Sequence, residues 1–221
     1  MSDQSIPIAP KAQPFLLPGG AIGLLVIHGF GGTIGDYRQF ADRLHQRGYT
    51  VAGVRLAGHG QGHEALRRTT SQDWQQSVEA AASLLREHCR QIVVLGASFG
   101  GALAFDYAAR HTDNVVGLVS VNTPVSYRGG GWFQPLILRV LRVFTPYWPK
   151  MGLSRAERQH YAQRGSTTAW PIDGILETYR FLSTRVLPAL PGITLPVLLL
   201  ASSTQTLKLV LKKYCQRFRT I

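Results

Sequence analysis

The sequence predicts an α/β fold, a mainly parallel sheet with helices on both faces, and three observations predict it. Leu24-Leu25-Val26-Ile27, Ile92-Val93-Val94-Leu95 and Val115–Val121 are near-continuous apolar runs, as expected of strands buried on both faces. Segments with apolar residues at helical spacing separate them, so strand and helix alternate as in crossover units. Several of the strands empty into glycine-rich turns, at the strand ends where open parallel sheets hold their ligands.

Taken in order, residues 1–20 are proline-rich and include a short apolar stretch, Phe15-Leu16-Leu17, that reads as an edge strand. Gly23–Ile27 is the first buried strand and runs into His28-Gly29-Phe30-Gly31-Gly32. Tyr37, Phe40, Ala41 and Leu44 follow with helical spacing, and Gly48 closes that helix. A strand over Tyr49–Leu56 leads to Gly58-His59-Gly60 and then a polar loop. Thr70-Ser71-Gln72-Asp73 is a helix start, and Trp74, Val78, Ala81 and Leu85 mark one face of the helix that follows. Next come the strand Gln91–Leu95, the turn Gly96-Ala97-Ser98-Phe99-Gly100, a helix to about His111, and the strand Val115–Val121. From Val125 to about Pro191 no strand signal is visible, and helical segments are expected at Ser154–Arg164 and Ile172–Leu187. Leu195–Leu200 resumes the sheet. The expected organisation is a discontinuous core, residues 1–122 and 190–221, with a helical cap at 123–189 over the carboxyl ends of the strands.

Composition narrows the function. A chain of 221 residues with 45% hydrophobic and 16% charged residues is a folded globular protein of one-domain size. Its two cysteines, Cys89 and Cys215, form no disulfide framework or metal-type spacing, and their paucity suits a reducing interior. No secretory signal pattern opens the chain and no apolar run reaches the length of a membrane span, so the expected location is cytoplasmic. The formal net charge of +12 raises nucleic acid as a partner. The basic residues are scattered, however, with no aromatic signature or zinc-finger spacing, so nucleic-acid binding is not expected.

The turn Gly96–Gly100 carries the chemistry. A G-x-S-x-G pentapeptide between a strand and a helix holds its serine on a sharp bend with the hydroxyl exposed, which makes Ser98 the candidate nucleophile. An acyl-transfer intermediate then needs two N–H donors for its oxyanion. The residue after the serine, Phe99, supplies one; the loop His28–Gly32, at the end of another buried strand, supplies the other through Phe30. His28 and His59 sit in glycine-flanked loops and read as turn-shaping residues. His45, His63, His88, His111 and His160 read as solvated, and Asp106 and Asp113 as surface charges. No metal site is expected.

His28-Gly29-Phe30-Gly31-Gly32, Val54–Gly60 and Gly96-Ala97-Ser98-Phe99-Gly100 resemble the α/β-hydrolase family of small carboxylesterases and monoacylglycerol lipases, over residues of about 12–200. The resemblance implies hydrolysis of carboxylic esters or monoglycerides by a serine nucleophile, an apolar acyl pocket beneath a cap, and no cofactor. Substrate contacts are expected from Gly29, Phe30, Trp132 and Phe133.

The sequence departs from that pattern beyond Pro196. The family's acid and histidine follow the last strands, yet no Asp or Glu occurs after Glu177 and no His after His160. The expected C-terminal strand and helix are not recognisable. The basic tail 207–221 reads either as a surface-binding amphipathic helix or as an altered C-terminus, and the abruptness of the break favours the second. Impaired hydrolysis is therefore expected, with a non-catalytic acyl-chain or surface binder as the alternative. The stretch Gln134–Phe144 is too short to span a bilayer; it is expected to pack over the pocket, with peripheral lipid contact as its second reading.

Overall fold

The computed structural model of the chain describes residues 6–124 and 133–201. Its elements run β1 (Phe15–Leu17), β2 (Ile22–Ile27), α1 (Arg38–Gln46), β3 (Thr50–Val54), α2 (Gly62–Arg67), α3 (Ser71–Arg86), β4 (Gln91–Ala97), α4 (Phe99–Arg110) and β5 (Val115–Val121). Then follow α5 (Phe133–Phe144), β6 (Tyr147–Pro149), α6 (Arg155–Gln163), β7 (Ala169–Pro171) and α7 (Ile172–Phe181). A π-helical turn, Leu182–Val186, the short α8 (Leu187–Ala189) and β8 (Val197–Leu200) complete the described chain.

Six strands form the sheet in the order β1-β3-β2-β4-β5-β8. All neighbours are parallel except β1, which lies antiparallel on the edge against β3. The apolar strand runs bury both ways. Leu25 and Ile27 of β2 join one core cluster with α3 and α4, while Leu24 and Val26 join a second with Ile34 and Ala41. That period of two on a doubly covered sheet is why the runs are continuous. The fold is that of an α/β hydrolase, and no helix among the described residues is long and apolar enough to cross a membrane.

Register sets the stage for the site. Ile27 is opposite both Val54 and Gly96, and Ala97 is opposite Val121. Four central strands therefore end level, and the turns after β2, β3, β4 and β5 gather at one edge of the sheet.

Four local expectations are corrected. A two-stranded antiparallel ribbon, β6 against β7, occupies a region where no strand was visible; each strand is three residues long and ends in proline, too short to show a period. The polar loop after Gly60 contains α2, six residues that are likewise too few for a repeat. Asp106 is buried, not on the surface, because the π-helical turn lays Arg185 across α4; Asp106 binds Arg185 at 3.2 Å, Arg110 at 3.0 Å and Gln75 at 2.7 Å. His63 and His111 are engaged rather than solvated: His63 Nε2 accepts from the Thr168 and Ala169 N–H groups, and His111 stacks on Tyr107 and pairs with Glu79.

Candidate active site

Ser98 occupies the single residue between β4 and α4, at φ 52° and ψ −127°. A side-chain-bearing residue there costs on the order of 1–3 kcal/mol, so the surroundings must enforce it. Two backbone bonds do: the Ser98 N–H donates to the Val121 carbonyl at 2.8 Å, and the Gly101 N–H donates to the Ser98 carbonyl at 3.0 Å. The bend also needs glycine at position 96, where a Cβ would overlap the Gly100 carbonyl and the Gly101 nitrogen. The outcome is an exposed serine at the top of an otherwise buried strand.

The loop after β2 lies directly against it. A Cβ on Gly29 would stand 3.1 Å from the Ser98 Cβ and 3.6 Å from its Oγ, so the glycine lets the two backbones meet. Two buried histidines hold this loop. His28 Nδ1 bonds the Gly29 carbonyl at 2.9 Å and its Nε2 accepts the Leu56 N–H at 3.3 Å. His59 Nδ1 bonds the Ala57 carbonyl at 3.1 Å and its Nε2 accepts the Gly31 N–H at 3.0 Å. Each ring thus donates from Nδ1 and accepts at Nε2, the neutral form. Burial opposes charging both: it lowers His28 to about 4 and His59 well below its usual value, with His28 itself disfavouring a second charge on His59. Neither ring has a nitrogen to spare for Ser98.

Among the described residues, the backbone N–H groups of Phe30 and Phe99 have no hydrogen-bond partner, and neither has Ser98 Oγ. The Phe30 and Phe99 rings meet edge to face at 6.3 Å between centroids, and both pack on Trp74. Their side chains are anchored against one another and Trp74, Phe99 directly after Ser98 and Phe30 directly after the Gly29 that packs on it.

Over this floor lies a cavity of about 570 Å³. Phe30, Ser98 and Phe99 form its base, and Ile137 and Leu138 of α5, Trp148 of β6, Trp170 of β7 and Ile175 of α7 are among its walls. Among the described residues the lining is apolar apart from hydroxyls and indole N–H groups, and none of its side chains is charged. Phe30 lines the cavity, whereas Gly29 is not among the described lining residues and packs closely against Ser98. Trp132 lies outside the described residues, and Phe133 is placed only as the first residue of α5. The aromatic walls missed in the sequence are Trp148 and Trp170, which pair across the β6–β7 ribbon. Their signal was a Trp-Pro dipeptide occurring twice, at 148–149 and 170–171.

No Asp, Glu or His among the described residues hydrogen-bonds Ser98. Asp106 belongs to the arginine cluster on the far side of α4. The basic tail 207–221 lies outside the described residues, as does most of the segment after β8.

Comparison with known proteins matches residues 22–208 to the family described as serine aminopeptidase, S33. A thermostable monoacylglycerol lipase of Bacillus sp. (strain H-257) is 41% identical over 125 residues, covering 57% of this chain and 49% of that protein. A carboxylesterase of Bacillus subtilis (strain 168) is 33% identical over 119 residues, 53% of this chain and 47% of the relative. By these alignments the chain spans about half the length of the curated relatives it matches. Among solved structures, one described under two metagenome-derived lipolytic enzymes, LipS and LipT, superimposes with a TM-score of 0.82 at 22% identity, covering 97% of this chain and 87% of the other. At that identity the likeness speaks for the fold.

Proposed function

The chain belongs to the serine aminopeptidase S33 family of α/β hydrolases, and from that premise we propose that its site is built for carboxylic esters, with Ser98 as nucleophile. In this reading Ser98 Oγ attacks the ester carbonyl, and the oxyanion forms against the Phe30 and Phe99 N–H groups. The alcohol then leaves with a proton, and water releases the acid from the acyl-serine. The single observation that carries the reading is the pair of unpartnered N–H groups flanking a strained, exposed serine at the floor of an apolar cavity. Each such donor can stabilise the transition state by about 3–4 kcal/mol.

The cavity favours esters over peptides. An aminopeptidase must hold a free ammonium group, and the described residues of the lining offer no carboxylate to do so. Aromatic and aliphatic walls suit an acyl chain, in keeping with relatives named as a lipase and an esterase. We assign residues 123–189 to the cap and 1–122 with 190–221 to the core; the last cap turns, Phe181, Leu182 and Val186, also fill the core.

We further propose that hydrolysis by the 221-residue chain is weak, because no acid or histidine partners Ser98 among the described residues. Losing the base of a serine triad costs up to about 10⁶ in turnover, with roughly 10³–10⁴ over water remaining from the oxyanion hole and binding. That same observation favours a second reading, an acyl-chain binder that does not turn over. Assaying p-nitrophenyl esters of rising chain length, monoacylglycerols and aminoacyl p-nitroanilides separates these. Slow turnover confined to esters supports the first reading. Chain binding without turnover supports the second, and anilide cleavage overturns both.

A further inference from the structure

A second depression, of about 750 Å³, lies beside the apolar cavity and shares Tyr179 with it. Its walls come from the end of α2, the residues leading into α3, and facing parts of α5 and α7. Five arginines line it, Arg67, Arg68, Arg139, Arg142 and Arg180, against two carboxylates, Asp173 and Glu177. Both carboxylates are already engaged. Asp173 pairs with Arg142 at 2.8 Å, and Glu177 accepts from the Ser71 N–H at 3.1 Å and the Ser71 hydroxyl at 2.6 Å. Arg180 is only loosely attached to Glu177, at 3.9 Å. Glu64, outside the groove, holds Arg67 at 3.0 Å and Arg68 at 3.3 Å, which fixes those two guanidiniums in place. Among the described residues Arg139 has no ion-pair partner. The lining therefore keeps an excess of positive charge next to a cavity whose described lining residues carry none.

We propose that this groove is an anion subsite, and that the ester seated in the neighbouring cavity carries a phosphate on its alcohol portion. The word ester rests on the reading given above; the anion subsite does not. Guanidinium forks suit the several oxygens of a phosphate better than a lone carboxylate, and a phosphate's charge of about −1.5 to −2 offsets most of the local excess. Tyr179, which lines both spaces, marks where the alcohol portion crosses from one to the other.

The experiment uses the full chain carrying Ser98→Ala, so that binding is read without turnover. Affinities for monomeric lauroyl-glycerol phosphate and monolauroyl glycerol are compared by calorimetry, with inorganic phosphate as a third probe. The proposal expects the phosphate-bearing lipid to bind at least about tenfold more tightly at low salt. That advantage should disappear in Arg139→Gln/Arg180→Gln and at high ionic strength, while monolauroyl glycerol is unchanged. Both substituted side chains are exposed, and an unaltered unfolding midpoint verifies the fold of the variant. Equal affinity for the two lipids overturns the proposal, as does a phosphate advantage that survives the double substitution. Inorganic phosphate binding as tightly as the phosphorylated lipid overturns the link to the cavity. Retention on phosphatidylglycerol vesicles without any preference between the monomeric lipids would instead assign these arginines to a membrane surface. Absence of ester turnover in the unsubstituted chain bears on Ser98 and leaves this comparison standing.

Discussion

Gly31 donates its backbone N–H to Nε2 of His59 at 3.0 Å, one residue after Phe30 in the loop that follows β2. The carbonyl of the same glycine accepts from the Thr167 N–H at 3.1 Å, the Thr167 hydroxyl at 3.3 Å and Lys150 Nζ at 3.3 Å. One residue of the loop after β2 is thus gripped by His59 on one side and by Lys150 and Thr167 on the other. Replacing His59 by Ala leaves a buried donor unpaired, which costs about 1–3 kcal/mol. The expected outcome is a lower urea midpoint in His59→Ala, with His160→Ala, on the exposed face of α6, unchanged.

The buried histidine pair makes stability depend on pH with a definite sign. His28 is lowered from 6.5 to about 4 in the folded chain, so between those values the unfolded chain binds the proton and the folded chain does not. Its contribution is complete above pH 6.5 and declines as the pH falls toward 4. The gap corresponds to a loss on the order of 3 kcal/mol, and His59 adds to it in the same direction. Thermal midpoints measured from pH 7.5 down to 4 should fall most steeply across that window. In His28→Gln, which removes the titrating ring, the fall should be shallower.

Close backbone approach separates the effects of two glycine substitutions. Gly96→Ala meets the Gly100 carbonyl, which cannot move without opening α4, and should yield little folded protein. Gly29→Ala meets the Ser98 Cβ at 3.1 Å and the Ala97 carbonyl at 3.3 Å, contacts that a shift of a few tenths of an ångström relieves. The variant should fold, with a midpoint close to that of the parent, and lose most of its reaction with a serine-directed phosphonate.

Asp106 is a structural acid. Its side chain is 4% exposed and receives Arg110 and Arg185, which are 33% and 49% exposed. Truncation takes the carboxylate from Arg185 and leaves Arg110 with Glu79 alone, at 2.6 Å, both within partial reach of water, so Asp106→Ala should cost about 2 kcal/mol, below the full penalty for a broken buried pair. A double-mutant cycle with Arg185→Ala should return a coupling above about 0.5 kcal/mol, and additivity would remove the tie between α4 and the π-helical turn.

Legibility in the sequence followed the length and regularity of the elements. The four central strands and the helices beside them were readable because continuous apolar runs and 3.6-residue spacing are long-range signals. The serine turn and the loop after β2 were readable because glycine is the residue that lets Ser98 and Gly29 meet. The β6–β7 ribbon was hidden by three-residue strands, and with it the Trp148–Trp170 pairing that walls the cavity. Burial of Asp106 was hidden for another reason: an acid on a helix looks solvated unless the distant Arg185 is known to lie across it. The long-range grip on Gly31 by Thr167 and Lys150 has no local signature at all.

The most direct test of the account treats the parent chain and Ser98→Ala with a fluorophosphonate and maps the adduct by peptide mass spectrometry. Ester turnover is measured on the same preparations. The account expects one slow adduct, on Ser98, absent from the Ala variant, together with weak p-nitrophenyl ester hydrolysis. An adduct on another residue, no adduct at all, or rapid labelling with ordinary turnover would contradict it.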